Sequence, residues 1–422
     1  MSDHFPSSFN CPACQRHHHL FDAEKTQMYV CGKCHTVIEA GPRGLFAAYK
    51  LHRPKGKPKL QTWQRGTLNG HAYTVIAVAE RYEVNTPYSW FEYTLLRDND
   101  HQLAYLSSYD GHWNFLEPLP DHQLPQPASK GGATGLTVND RFFERFSAYK
   151  ANYRYAEGEF HWLDNLQKSK HCEEFIRPPQ LLAEEREADY QQQKDYYLGT
   201  YIQREEISQS FLKGGYLPAP VGVAPAQPAR FNVDAQRFLK GTLVFCILAL
   251  IIQTVYSFNS KKVPVFSDRI YLDTANVSKP VVSPSFKLEG KTSNLEVQLE
   301  TDVDNSWCEV EVNLVNEQTG KETAFVVGAE FYSGVSEGES WSEGSRMQKE
   351  FVCSVPEGSY HFVTTFSKGD DRRPVNIGLT AWWDVPSWWN AVLLSVLMTI
   401  VAVIIWAIRR SFEARRWAGS NL

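Results

Sequence analysis

Two long apolar runs interrupt a chain that is otherwise patterned as short strands. Residues 241–260 hold no charged side chain over twenty positions, and residues 385–408 hold none over twenty-four. A helix needs about twenty apolar residues to cross a hydrocarbon core of about 30 Å. The pattern therefore predicts two transmembrane helices, at 238–260 and 385–408.

The charges beside these runs predict their orientation. The first run has basic residues on both flanks, whereas four arginines follow the second run within the tail 409–422. An excess of Lys and Arg marks the cytoplasmic side, and the start of the chain shows no apolar targeting segment. We therefore expect a two-pass protein with both termini cytoplasmic and residues 261–384 outside.

The segment between the runs alternates apolar and polar positions with the period of a strand. Residues 295, 297 and 299 are apolar, and residues 296, 298 and 300 are polar. Several such runs, separated by turn sequences, predict an extracytoplasmic antiparallel β-sandwich.

One stretch of this segment, residues 331–347, is rich in acid and serine. Glu337, Glu339 and Glu343 could ligate calcium, which prefers oxygen ligands, and Trp341 could stack on a sugar or a protein partner. No EF-hand spacing is present, so we favour an exposed polar loop with one anchoring tryptophan.

The same segment contains two cysteines in strand-like runs, Cys308 and Cys353. Disulfides persist outside the cytoplasm, so we expect these two residues to be joined. Two free thiols, buried as small apolar groups, are the alternative.

The N-terminal residues 1–45 contain two further cysteine pairs with metal-ligand spacing. Cys11 and Cys14 precede Cys31 and Cys34, with two residues inside each pair and sixteen between the pairs. This spacing is typical of a zinc ribbon with a closed, structural four-thiolate site. A pair of redox dithiols or disulfides is less favoured in a reducing compartment.

Histidines beside the pairs are alternative ligands, although solvated side chains are the better interpretation. These histidines are His17, His18, His19 and His35.

Composition divides the remaining chain before the first apolar run. Residues 46–65 are rich in Lys, Arg and Pro and predict a solvated linker, with contact to anionic lipid or RNA as the alternative. Residues 66–213 predict a cytosolic β-rich α+β domain that ends in helices near 181–196 and 202–213. Residues 214–237 predict a Pro/Ala-rich linker.

Two carboxylates of the β-rich domain lie beside aromatic residues. Strand alternation places Trp90 with Glu92, and Glu159 with His161, which makes these four residues candidates for ligand binding. Glu92 and Glu159 could act as an acid–base pair. No nucleophile or phosphate loop accompanies them, so we favour carboxylates that bind backbone amides or an arginine.

The stretch from residue 66 to residue 211 resembles the bacterial family called domain of unknown function 4178. The resemblance rests on the motifs G-x-L-x-G-x-x-Y-x-V, W-x-E-Y-x-L, G-x-W, G-E-F-x-W, P-P-x-L-L-x-E and L-G-T-Y-I, which begin at Gly66, Trp90, Gly111, Gly158, Pro178 and Leu198. It covers about a third of the chain.

This resemblance implies a setting and leaves the mechanism open. It implies an N-terminal zinc ribbon, a place in the bacterial inner membrane, and a link to envelope stress or membrane remodelling. No activity is established for the family.

The overall charge argues against nucleic acid as a partner. At −5 over 422 residues, the chain has no basic signature for nucleic acid. The lipid bilayer and protein partners on both sides are expected, and the oligomeric state stays open. We expect a membrane-anchored binding or scaffold protein. An enzyme using Glu92 or Glu159, and a subunit of an oligomeric channel or transport assembly, are the alternatives.

Overall fold

The computed structural model describes residues 4–187, 194–229, 234–274, 276–369 and 372–421. It divides into two compact units: Met1–Ala235 with Ile404–Leu422, and Gln236–Val403. Most of the described structure is β-sheet, accompanied by three α-helices.

In its described residues, the first unit contains sixteen strands, one complete α-helix, the end of a second α-helix and a short 3-10 helix at Asp121–Gln123. The strands are β1 (Ser8–Asn10), β2 (His17–His19), β3 (Met28–Val30), β4 (Thr36–Gly41), β5 (Gly44–Lys50), β6 (Arg65–Leu68), β7 (His71–Glu83), β8 (Ser89–Arg97), β9 (Leu103–Tyr109), β10 (His112–Pro118), β11 (Gln126–Lys130), β12 (Ala133–Val138), β13 (Arg141–Phe160), β14 (Lys170–Arg177), β15 (Gln180–Glu187) and β16 (Asp195–Ile202). The complete helix is α1 (Arg204–Leu212).

Eight of these strands form a closed antiparallel ring. The order of pairing is β7, β8, β9, β10, β16, β15, β14 and β13, and β13 then pairs with β7. Closure leaves no free edge on the ring, and an eight-stranded barrel is just wide enough inside for side chains or one small ligand.

The long strand β13 makes this closure. Its first part pairs with β12, its middle with β14, and residues 152–158 pair with β7. Its last residues pair with β3, which joins the N-terminal ribbon to the barrel in one sheet. Bulges lie between Arg145 and Ser147 and between Tyr153 and Tyr155, and bulges sharpen the bend that a barrel requires.

The outer face of strands β6–β10 carries the main apolar core of this unit. Tyr93 and Leu95 lie on the face predicted from alternation and are fully buried. They pack with Ile207 and Phe211 of α1, which covers this face. Helix α1 confirms the second predicted helix.

The helix predicted near 181–196 is wrong. The part of it that the structure describes lies in β15 and at the start of β16, and residues 188–193 lie outside the described residues. The sequence Gln180–Glu187 favours a helix by composition, but β15 pairs on both edges with β14 and β16. Helix propensity amounts to less than about 1 kcal/mol per residue, and tertiary pairing overrides it here.

Both predicted linkers contain ordered structure. Residues 46–50 lie in β5, which pairs with β4 and so extends the ribbon sheet. In the second linker Leu217, Ala224 and Ala226 are buried against the barrel. The backbone there is also fixed, because the amide of Val221 donates to the carbonyl of Asp110.

The end of the chain packs against this same segment. Arg416, only 1% exposed, donates to the carbonyls of Ala224, Pro225 and Gln227. The ring of Trp417 lies 5.4 Å from that of Phe146.

A reciprocal pair of hydrogen bonds follows one turn later. Asn421 donates its side-chain amide to the carbonyl of Ala148 at 2.8 Å and accepts the Ala148 amide at 2.9 Å. The described part of the predicted tail, residues 409–421, is therefore an ordered part of the barrel unit.

The described residues of the second unit form ten strands and parts of two long helices. The strands are β17 (Val263–Leu272), β18 (Val281–Val282), β19 (Phe286–Leu288), β20 (Ser293–Thr301), β21 (Ser306–Asn316), β22 (Glu322–Ser336), β23 (Glu339–Ser345), β24 (Met347–Val355), β25 (Gly358–Lys368) and β26 (Val375–Trp383). The helices are α2 (Ala235–Asn259) and α3 (Trp389–Trp417).

The strands of this unit form two antiparallel sheets over one apolar core. One sheet has the order β17-β26-β20-β24, and the other has the order β18-β25-β21-β22-β23 with β19 beside β25. Leu295, Val297 and Leu299 are fully buried in this core, as the alternation predicts. The pairing of two sheets is that of a β-sandwich.

The acidic stretch 331–347 is mostly a hairpin rather than an irregular loop. Strands β22 and β23 pair, and they are joined at Glu337 and Gly338. Both residues have positive φ angles, 52° and 89°, which is the geometry of a type I′ turn.

Helices α2 and α3 are long and apolar enough to cross a membrane. At 25 and 29 residues they extend about 37 and 43 Å, given a rise of about 1.5 Å per residue. Only 6% of the most apolar window of each helix is buried, unlike a core helix of a soluble protein. The amide of Gln253 donates to the carbonyl of Ser387 at 3.0 Å, so the polar group within α2 has a partner.

Asp384 ties the sandwich to the ends of both helices. Its side chain is 3% exposed, accepts from Ser293 Oγ at 2.7 Å and from the Lys261 amide at 3.1 Å, and pairs with Lys291 at 3.1 Å. Burial alone would raise the pKa of Asp384, but these donors outweigh it and lower the pKa.

We expect Asp384→Asn to destabilise this unit by about 1.5–3 kcal/mol, the usual contribution of a hydrogen bond to a charged group. Because the folded-state pKa of Asp384 is lowered, its ionised carboxylate stabilises the fold at pH values above the unfolded-state pKa. This stabilisation is lost as the pH falls through the folded-state pKa. Thermal unfolding of the full chain in detergent should therefore be less acid-dependent in Asp384→Asn. Asp304→Asn, at an exposed carboxylate, is the control. Equal losses in both variants would contradict the role of Asp384.

Candidate functional site

Two matching turns present the four N-terminal cysteines. The amide of Gln15 donates to the carbonyl of Cys11, and the amide of His35 donates to the carbonyl of Cys31. Gln15 and His35 both have a φ of 60°, which turns the chain back after the second cysteine of each pair. Gly32, inside the second pair, does not have a positive φ angle.

The four sulfurs form a compact group. Sγ of Cys11 lies 3.7 Å from that of Cys34, Sγ of Cys14 lies 3.7 Å from that of Cys31, and all four lie within 4.8 Å of one another. A tetrahedral zinc with bonds of about 2.3 Å separates its sulfurs by about 3.8 Å. The predicted cysteines therefore form a group that can hold a metal such as zinc, and no histidine belongs to it.

One histidine contacts this group from outside. His18 is buried, with Nε2 3.2 Å from Sγ of Cys31 and Nδ1 3.0 Å from the Tyr29 hydroxyl. The prediction of a solvated side chain is wrong for His18 because Phe9 and Tyr29 cover its ring. His17 and His19 are exposed, as predicted. A polar partner of this kind orients a ligand sulfur.

Glu159 joins the ribbon to the barrel. Its carboxylate accepts the amides of Phe21 and Asp22 at 2.6 and 3.0 Å and the Thr26 hydroxyl at 3.3 Å. Burial raises the pKa of Glu159, and these donors act in the opposite direction. The favoured interpretation, a carboxylate that binds backbone amides, is confirmed. His161 is half-buried, and burial lowers its pKa.

Glu92 lies in a different environment, inside the barrel. Its carboxylate is 3.1 Å from the Arg81 guanidinium and accepts the Trp90 indole N–H at 2.8 Å. Arg81 also pairs with Glu185. Glu92 and Glu159 therefore have separate partners, and the pairing with arginine favoured from the sequence is confirmed.

Strand order shows that these side chains point into the barrel. Arg81 lies on β7 and Glu185 on β15, three strands apart around the ring. Neighbouring strands are separated by about 4.8 Å, so a direct contact between them is made across the interior.

More polar and aromatic side chains complete this barrel-interior cluster. Lys170 lies 2.6 Å from Asp164 and 3.9 Å from Glu185, and Tyr149 donates to Glu174 at 2.8 Å. The other members are Tyr105, Tyr153, Cys172 and Tyr197.

The interior shifts the pKa values of several groups in this cluster. Burial raises the pKa of Glu92 above its usual range despite Arg81, and burial also raises the pKa of Glu174. For Glu185 burial acts in the same direction, but Arg81 and Lys170 outweigh it and lower the pKa. Burial opposes the charge of Arg81 as well, yet Glu185 and Glu92 raise its pKa.

Sequence reasoning identified Glu92 and Trp90 but missed Arg81, Lys170 and Glu185. Alternation could have placed Arg81 on one face of β7. Closure of the ring brings β7, β14 and β15 together, but no local sequence pattern indicates this closure. Glu185 also lies in the stretch that composition assigns to helix.

The predicted disulfide is wrong. All eight cysteines lie within the described residues, and all are free. Cys308 lies on β21 and is buried in the sandwich core, whereas Cys353 lies on β24 in the opposite sheet and is exposed. Its neighbour Val352 takes the inward position, so Cys353 points away from the core.

Calcium binding at the acidic hairpin is unsupported. Glu339, Trp341 and Glu343 alternate along β23 and are exposed, and Glu337 lies in the turn. In the described part of the chain, only the four cysteines group three or more metal-binding side chains closely. Trp341 is 46% exposed, so it does not anchor the hairpin in the core.

Comparison with known proteins adds no family. No protein-family model matches the chain, and no curated protein matches it.

Solved structures give only distant likenesses. PNGF-II is 8% identical over 74% of this chain and 68% of its own, with a TM-score of 0.21. The insecticidal delta-endotoxin Cry8Ea1 from Bacillus thuringiensis is 8% identical over 77% and 54%, with a TM-score of 0.17. Infectious bursal disease virus, Gt strain, is 9% identical over 81% and 85%, with a TM-score of 0.14. These low scores support no functional conclusion.

We expect the full chain to hold one zinc ion, because the sulfur spacing fits a closed tetrahedral site. Cys31→Ser should lose the metal, and His18→Phe should bind it about tenfold more weakly, since it removes the polar contact to Cys31. Elemental analysis and chelator competition measure these effects. Cys353→Ser, at an exposed cysteine outside the group, is the control. Less than half an equivalent in the unmodified protein, or full retention in Cys31→Ser, would exclude the site.

Proposed function

We propose that the chain is a two-pass inner-membrane binding protein. In this proposal the zinc ribbon and barrel form a cytoplasmic recruiting module, and the β-sandwich lies on the other side of the membrane. Helices α2 and α3 are the two spans. The sandwich grips or senses a partner outside, and the barrel module recruits a partner inside.

The observation that carries this proposal is the docked C-terminal tail. Residues 404–422 belong to the same compact unit as residues 1–235, although both apolar helices separate them along the chain. Arg416, Trp417 and Asn421 all contact the barrel or its following segment. Two crossings return the chain to the side where it started, which supports termini on one side.

The chemistry of each side supports the cytoplasmic placement of the barrel unit. Four thiolates suited to a structural zinc ion remain reduced in the cytoplasm. Arg409, Arg410, Arg415 and Arg416 follow the second span, as the positive-inside rule requires.

The resemblance to domain of unknown function 4178 is part of this proposal. The motif that begins at Gly66, one of those on which the resemblance rests, occupies β6, a turn and β7 at the start of the barrel. The implied setting in envelope stress or membrane remodelling agrees with a protein that has a folded module on each side.

Binding is favoured over catalysis because both carboxylates considered for an enzyme are engaged. Glu159 holds ribbon amides, and Glu92 shares Arg81 with Glu185. A role as a channel subunit has no specific observation in its favour.

Sidedness can be measured with reporters that are active only outside the cytoplasm. A reporter at the C-terminus should be silent, and one inserted at the exposed turn near Gly320 should be active. The reverse pattern would invert the proposed orientation. Activity of both reporters would show that α3 does not cross the membrane.

The tail itself should stabilise the barrel. Arg416→Ala leaves three carbonyls, one buried and two partly buried, without this donor and should cost about 1–3 kcal/mol. Arg415→Ala removes the same charge from an exposed neighbour and is the matched control. Thermal unfolding and limited proteolysis of the full chain measure the difference. Equal stability of the two variants would show that the docked tail contributes nothing.

A further inference from the structure

The barrel interior contains accessible space as well as buried charge. The side chains of Glu92, Glu185 and Lys170, which come together inside the ring, remain 24%, 15% and 12% exposed. A packed apolar interior would leave them no accessible surface. An eight-stranded barrel has room for one small ligand when side chains do not fill it.

The charges lining this space do not balance among the described residues. Arg81 and Lys170 are the two cations. The carboxylates that contact the cations or Tyr149 are Glu92, Glu174, Glu185 and Asp164. Asp195 also interacts electrostatically with Lys170 and Glu185. The two cations are already engaged by three of these carboxylates, and among the described residues Glu174 is paired with the Tyr149 hydroxyl alone.

Uncompensated carboxylates in a protein interior are costly, so each is either protonated or neutralised by a partner. Burial raises the pKa of both Glu92 and Glu174, which is the direction expected for carboxylates without full compensation. An anionic ligand would add to the repulsion and would find both interior cations already paired.

The aromatic lining also favours a cationic ligand. Tyr105 and Tyr197 pack at 5.5 Å, and Arg81 lies over the rings of Tyr153 and Trp90 at 4.9 and 5.7 Å. Aromatic faces attract organic cations, and tyrosine hydroxyls and carboxylates accept hydrogen bonds from ammonium groups.

We propose that the interior of the barrel is the binding site for a small organic dication that carries ammonium groups. This inference deepens the proposed function, because it rests on the barrel being a binding module. Glu174 and Glu92 are the carboxylates that receive the ligand. Arg81 is a positioning residue, because it fixes Glu92 and Glu185 on opposite sides of the space.

One end of this site is closed by the segment that holds the tail. Leu116 and Ala183 pack in one apolar cluster with Ala224, Ala226 and Trp417. By register, Leu116 lies opposite Tyr105 and Ala183 opposite Glu174, so both belong to the inner face. Ligand binding would therefore affect the packing of the tail that continues from α3.

The test is calorimetric titration of the full chain in detergent at low ionic strength. The probe is 1,4-diaminobutane, and butane-1,4-diol and succinate are neutral and dianionic compounds of similar length. We expect saturable binding of the diamine alone. Glu174→Gln, which keeps an acceptor for Tyr149, should weaken binding about tenfold, the effect of losing one charged hydrogen bond. Glu117→Gln, at an exposed residue of the same barrel, should bind normally.

Several results would overturn the proposal. They are absent diamine binding to folded protein, equal binding of succinate or the diol, and unchanged binding in Glu174→Gln. Glu92→Gln replaces Glu174→Gln if the latter fails to fold. Binding in detergent does not depend on membrane sidedness, so a failed titration leaves the topology result standing. A reversed topology likewise leaves the binding result standing.

Discussion

The pairing of β13 with β7 closes the barrel, and the rest of the first unit depends on it. Without this pairing the eight strands would form an open sheet with two free edges. Closure brings Arg81 within reach of Glu185, which lies three strands away. Because β13 continues to residue 160, the same strand also anchors the ribbon through β3 and positions Glu159 beneath the amides of Phe21 and Asp22.

The barrel carries a large apolar surface on its outer face and a cluster of charges in its interior. Tyr93 and Leu95 are buried beneath α1 on the outer face, whereas Glu92, between them in sequence, lies in the interior. Desolvating several ionisable groups together requires that they neutralise one another or bind a partner. The arrangement is costly for a purely structural barrel, which could fill its interior with apolar side chains.

Short polar contacts connect each folded region to an apolar helix. Asp384 receives a hydroxyl, a backbone amide and an ammonium group beside the ends of α2 and α3. Arg416 donates to three carbonyls after the apolar part of α3. In both places a buried charge is satisfied by several partners of fixed geometry, which holds the helix end more firmly than apolar contact alone.

Local pattern was sufficient for several features of this protein. The length of the apolar runs predicted α2 and α3, the cysteine spacing predicted the thiolate group, and alternation placed Leu295, Val297 and Leu299 in the sandwich core. Each of these features depends on residues that are close in sequence. The thiolate group also shows a limit, because the burial of His18 depends on packing by Phe9 and Tyr29.

Only the tertiary structure decided the remaining features. Gln180–Glu187 has the composition of a helix but becomes a strand because β14 and β16 pair with both of its edges. Cys308 and Cys353 have strand-like surroundings, yet they lie in opposite sheets and one points outward. The barrel interior joins β7, β8, β14 and β15 across separations of many residues. Sequence by itself determined which segments are apolar, alternating or metal-binding. The fold determined which of them meet, because closure of a ring is a property of all its strands together.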